Sequence, residues 1–183
     1  MIGKCGAAAA LLLACSAVQA EEAPDPFDQL PNVHFAYYDV TGVSMEKISQ
    51  SIYENGPRDL NSPAHLAART EWSFDWTWKV EGEGKCDLST TTASFRAFVI
   101  LPSLADLVAP DVLKEWNAYL AKLRQREADQ ARYAYSHLPQ LLAAIKGAPS
   151  CEAANKAGAA VLDGIKTYTL GYDAQTDHGR KAD

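Results

Sequence analysis

The sequence predicts an α+β fold: a small antiparallel β-sheet of about three strands, packed with a long helix and a C-terminal helix. Two patterns carry that expectation. In "RTEWSFDWTW", Trp72, Phe74, Trp76 and Trp78 fall on one side while Ser73, Asp75 and Thr77 fall on the other, the period-two signature of a half-buried strand. From Asp111 the spacing changes to three and four, with Leu113, Trp116, Leu120 and Leu123 on one helical stripe.

The first strand is "VHFAYYDVTG", Val33 to Gly42, rich in aromatic and β-branched residues. Ser44 is placed to cap a helix whose Met45, Ile48 and Ile52 share a face, and Gly56-Pro57 stops it. The tryptophan-rich strand turns at Gly82 and Gly84 and returns as "CDLSTTTASFRAFVILPSL", giving a hairpin joined to the first strand. The four tryptophans read as core packing. Asp111 opens a helix of about 27 residues that meets neither Gly nor Pro before Pro139. Gly147-Ala148-Pro149 then breaks the chain, and Cys151 to about Thr169 is a second, alanine-rich helix. The tail "GYDAQTDHGRKAD" reads as an irregular arm.

Residues 1–20 have the layout of a signal peptide: Lys4, the apolar run Ala7 to Ala14, and small residues at Val18 and Ala20. A second reading of the same stretch is a lipobox ending at Cys15, which would make that cysteine a lipid anchor. Residues 21–32 are acidic and proline-bearing, a flexible lead-in, and 33–183 form a single domain. Export to the periplasm or beyond the cell is therefore expected. Nothing after the signal is apolar for long enough to be a transmembrane span.

The net charge of −6 argues against nucleic acid as a partner, since a binder of phosphates needs a basic face. It argues equally against a polybasic membrane-surface protein. Outside the signal the chain keeps two cysteines, Cys86 and Cys151, and an oxidising compartment favours a disulfide between them. Their distance apart and the lack of a C-x-x-C do not suggest a metal knuckle.

Within the long helix, "READQ" (Arg126 to Gln130) has the length and the glutamate of an H-E-x-x-H zinc signature, but not its histidines. Arg126 has no lone pair to offer a metal and stays protonated. Gln130 offers only a weak amide oxygen. On spacing alone the stretch is a charged, solvated helix face. His34, His65 and His137 show no ligand spacing that repairs it.

Four stretches occur in a fixed order: "AYYDVTG", "RTEWSFDWTW", a strand opening at Cys86, and "YDAQTDHG". Together they resemble a bacterial family of predicted secreted zinc-dependent proteases, catalogued as domain of unknown function 922. The resemblance spans about Val33 to Gly179 and is most specific at Tyr37 to Gly42 and Tyr172 to Gly179. In that family the long, zincin-like helix carries H-E-x-G-H, and "READQ" lies at the matching place. The resemblance implies a metalloprotease-like domain with Glu127 at the general-base position. Arg126 and Gln130 then stand where two ligating histidines would be, and His178 stands at the third-ligand position.

The expectation is an exported pseudo-protease that binds an unknown protein or peptide in the old cleft, with no cofactor. The alternative is an active secreted or periplasmic peptidase with an atypical zinc site. In the first case Arg126, Glu127 and Gln130 are expected to form a polar cluster with Asp177 and His178, a guanidinium replacing the metal charge.

Overall fold

The elements of the computed structural model are β1 (Val33–Val40), α1 (Met45–Asn55), β2 (Arg69–Val80), β3 (Cys86–Leu104), α2 (Pro110–Ser136), α3 (Leu138–Lys146) and α4 (Cys151–Gln175). The structure describes residues 24–59 and 63–175, the side chains of 172–175 excepted. The signal reading, the lipobox at Cys15, and Asp177 and His178 lie outside the described residues. Among the described residues, no helix is long and apolar enough to cross a membrane.

The expected α+β class and the three-stranded sheet are both present, in the order β1-β3-β2. Strands β2 and β3 form the antiparallel hairpin, with Trp72 opposite Ala97, Phe74 opposite Phe95 and Trp76 opposite Ala93. The sheet is mixed rather than wholly antiparallel, because β1 runs parallel to β3, with Phe35 beside Val99 and Tyr37 beside Leu101. The cause is the connection. The chain leaves β1 through α1 and crosses to β2 on the far side of β3, a long crossover of the kind parallel pairing needs. Side-chain alternation is the same in both directions, so it does not encode strand direction.

Helices α2, α3 and α4 cover the face that carries the tryptophans. Phe95 meets Phe74 and Tyr135 with ring centroids 5.2 Å apart in each case, and Val99 and Leu101 are fully buried beside them. Trp76 donates its indole N–H to Asn155 Oδ1 at 3.0 Å. Gly158, one turn further along α4, lets that helix close on the same ring: a Cβ there would lie 3.0 Å from Trp76 Cζ2. The opposite face of the hairpin stays wet, with Ser73, Asp75, Thr77, Ser94 and Arg96 exposed and Arg96 paired to Asp75.

Helix α1 is capped as its sequence predicts, Ser44 Oγ accepting from Lys47 N, and it buries Ile48 and Ile52. Helix α2 begins at Pro110, where a missing N–H costs nothing, and runs to Ser136. Its expected stripe shifts toward the C-terminus: Trp116 and Leu123 are buried, whereas Leu113 is largely exposed. Helix α4 passes the expected end at Thr169 and continues to Gln175 through Gly171, since one helical glycine costs only about 1 kcal/mol.

The lead-in expected to be flexible is, from residue 24 on, packed against α2. Phe27 and Leu30 are buried, and the Phe27 ring meets Phe35 edge-on at 5.1 Å. Arg124 pairs with Asp25 at 2.6 Å and sets its guanidinium 5.7 Å from Phe27 and 5.4 Å from Phe35. Arg132 donates to the Pro26 carbonyl at 2.7 Å. Acidity and proline suggested a loose segment, but two apolar side chains and two arginines hold it.

Cys86 and Cys151 form the expected disulfide, joining the start of β3 to the start of α4 across a separation of 65 residues. Closing a loop of that length stabilises the folded state by about 4 kcal/mol on the chain-entropy account. Reduction, or the C86S/C151S variant, is expected to lower the thermal midpoint by about 10 °C. Calorimetry with and without a thiol reductant checks this.

Candidate functional site

Apart from Asp129, the residues of "READQ" do not face solvent. Arg126 and Gln130 are each 8% exposed and Glu127 only 1%, so the charged letters that suggested a wet face lie against the sheet. Asp129 alone of the polar residues in this stretch points outward, where Arg132 and Gln125 bond to it. Residues 126, 127 and 130 share one side of α2 because three- and four-residue spacings coincide on a helix. That side lies over β2.

Both oxygens of the Glu127 carboxylate are engaged. Arg126 Nη1 donates to Oε1 at 2.7 Å, and Thr70 Oγ1 donates to Oε2 at 2.7 Å. Thr70 reaches the helix because strand alternation places it on the same face as Trp72 and Phe74. Charge-assisted bonds of this kind are about twice as strong as neutral ones, and a buried carboxylate depends on them. Leu66, Ala68 and Arg69 complete the walls of a cavity of about 30 Å³. That volume suits one water molecule and no substrate.

Tyr119 stands two turns before Glu127 on the same helix. Burial pushes its hydroxyl above the usual tyrosine range, with Arg126 nearby pulling it down and Glu127 pushing it up. Tyr38 is raised more strongly, first by burial and then by Tyr119, and its hydroxyl donates to the Ala67 carbonyl at 2.8 Å. Tyr38 and Thr70 lie inside stretches that carry the family resemblance, yet neither they nor Tyr119 were read as site residues. The strand alternation at Thr70 and the helical spacing of 119, 126 and 127 were the signals that could have found them.

A larger cleft of about 280 Å³ opens on the other side of Gln130, lined also by Asp129, Tyr133, Tyr168 and Thr169. The rings of Tyr133 and Tyr168 stack at 3.9 Å, joining α2 to α4. His137 is tied to this end of α2 by Nδ1 at 2.9 Å from the Tyr133 carbonyl oxygen, not turned toward Glu127. His34 is exposed on β1, and His65 lines a different pocket. The sequence-predicted site residues Arg126, Glu127 and Gln130 are thus brought together.

Two outcomes test this geometry. Arg126→Met removes the cation beside a buried carboxylate and is expected to cost about 3 kcal/mol or more in urea unfolding. The R126M/E127L pair should cost less, because the cation and the carboxylate are removed together. The second concerns pH. A tyrosine raised in the folded state releases its proton more readily when unfolded, near the ordinary value of about 10. The stability from Tyr38 and Tyr119 is therefore complete below that pH and lost above it. Thermal midpoints should fall as pH rises past about 10, less steeply in Tyr119→Phe.

No curated protein and no solved structure matches the chain. Comparison with protein families matches residues 35–179 to the family described as bacterial protein of unknown function (DUF922), which runs from the third residue of β1 through α4. That match covers most of the chain, and the protein is therefore a member of the DUF922 family.

Proposed function

We propose that this chain is an exported, non-catalytic member of its family that binds a protein or peptide segment. The observation that carries the reading is the state of Glu127. A general base beside a metal-bound water needs a free carboxylate oxygen aimed at that water. Here one oxygen accepts from Arg126 and the other from Thr70, in a space the size of a single water.

The side chains present do not suit zinc. A guanidinium has no lone pair and holds a fixed positive charge 2.7 Å from the Glu127 carboxylate. Gln130 supplies a poor donor at the second ligand position. His178 at the third position would leave a single imidazole, too few for a defined zinc site. Binding then falls to the cleft beside Gln130, where the Tyr133–Tyr168 stack offers aromatic surface with polar groups around it. Such a mixture is common in recognition sites. The disulfide supports export, because an oxidising compartment is where such a bond persists.

Elemental analysis of chain purified without added metal is expected to find far less than about one zinc per molecule. A general peptidase assay is expected to show no cleavage that a chelator abolishes. Stoichiometric zinc together with chelator-sensitive cleavage would establish the alternative, an active peptidase with an atypical metal site.

A further inference from the structure

The family match begins at residue 35, so residues 24–32 lie ahead of it, yet they are seated on the matched domain. Their seat is a groove between α2 and β1. Arg124 and Arg132, two turns apart on α2, reach the segment from one side, and the Phe35 ring of β1 meets it from the other. Phe27 and Leu30 are sunk while Asp28 and Gln29 between them are exposed. The segment pivots at Asn32, a left-handed residue at φ +53° that bonds β3 twice: its side-chain amide donates to the Phe95 carbonyl, and its own carbonyl accepts from Ala97 N. Ahead of that pivot the grip changes in kind. Among the described residues, the backbone–backbone bonds of residues 25–30 are local turns, Asp28 N to Asp25 and Leu30 N to Phe27, so no ladder ties the segment to the sheet.

We propose that this groove is a docking site for a partner's segment of the pattern Asp-Pro-Phe-x-x-Leu, and that the lead-in is a strap which occupies it until such a segment displaces it. The resident strap shows the chemistry the groove reads. Arg124 sets the acid, because its fork matches a carboxylate, and it pairs with Asp25 at 2.6 Å. The same guanidinium lies over the Phe27 and Phe35 rings, and Phe35 meets Phe27 edge-on, so the groove also sets an aromatic ring. The other oxygen of Asp25 accepts from Phe27 N at 3.1 Å, which fixes the spacing of acid and ring by a local turn. Arg132 asks only for a main-chain carbonyl, that of Pro26. A basic segment would face two guanidiniums and is rejected.

Arg132 also joins this groove to the cleft beside Gln130. One of its nitrogens donates to Pro26 and the other to Asp129, which lines that cleft. An emptied groove therefore changes the hold on Asp129. The groove is a second surface, so the proposal does not rest on the non-catalytic reading.

The test follows binding of a fluorescein-labelled peptide "PDPFDQLP", the sequence of residues 24–31, to the intact chain by anisotropy. A short tether gives the strap an effective concentration on the order of 1 mM, so a strap docked in about nine molecules of ten implies a dissociation constant of about 100 µM for the same segment in trans. The wild type is then expected to bind the peptide at about 1 mM, and Phe27→Ala about tenfold more tightly, because its own strap no longer competes. Asp25→Ala changes an exposed position, leaves the core intact and should tighten binding about threefold. Both are gains of binding, which loss of fold does not produce, and Asp25→Ala carries the test if Phe27→Ala does not fold. Adding Arg124→Gln to either variant should weaken binding about tenfold, and an unlabelled "PDPADQLP" should not compete. Binding to the folded variants no tighter than to the wild type, or equal competition by "PDPADQLP", overturns the proposal and leaves the strap as fixed structure. Dimers that grow with chain concentration and dissolve on adding the peptide would give the groove to the lead-in of a second copy, and so overturn its assignment to a partner.

Discussion

A carboxylate packed between a helix and a sheet must be neutralised where it stands, and in this protein that constraint fixes how α2 meets β2. Glu127 has almost no contact with solvent, so its charge is balanced by the adjacent residue of its own helix and by a hydroxyl from the strand. The Arg126 bond is local and sets the rotamer of both side chains. The Thr70 bond is long-range and sets the height of the helix along the strand. A slip of α2 by one residue would swing Glu127 off Thr70 and leave one carboxylate oxygen without that bond. Apolar packing alone, which tolerates small shifts, would not specify that register so sharply.

Legibility in the sequence depended on how local the cause was. The hairpin was plain because Trp72, Phe74, Trp76 and Trp78 alternate with polar residues, and such a pattern has few structural solutions. The cap at Ser44 and the start of α2, expected at Asp111 and found one residue earlier at Pro110, were plain for the same reason, since each is decided within a turn. The parallel run of β1 was not, because alternation is blind to strand direction. The burial of Arg126, Glu127 and Gln130 was not legible from composition, which assigns charged letters to water. Only the alignment of "READQ" with a family motif drew attention to them. Thr70 as the partner of Glu127 depends on which distant segments meet, and no window of sequence contains that.

The segment at residues 24–32 makes the same point from the other side. Its composition resembles a tether, yet Phe27 closes an aromatic cluster with Phe35 under the Arg124 guanidinium. Two arginines on α2, Arg124 and Arg132, hold its acid and its backbone. The outer edge of the sheet at β1 is thereby partly shielded, since Phe35, though still 36% exposed, packs one side of its ring against Phe27. An edge strand covered in this way is less available to pair with another chain.

The position of the disulfide has a consequence for how the chain survives cutting. Cys86 and Cys151 bracket β3, α2 and α3, and the link between β3 and α2 carries Leu107, whose side chain is fully exposed. An endoprotease hydrolysing that link leaves two polypeptides still covalently joined through sulfur. Strand β3 would stay paired with its neighbours and α2 would stay seated on its carboxylate. The nicked form would migrate as one species until reduced, and it would have no fragment to lose by diffusion.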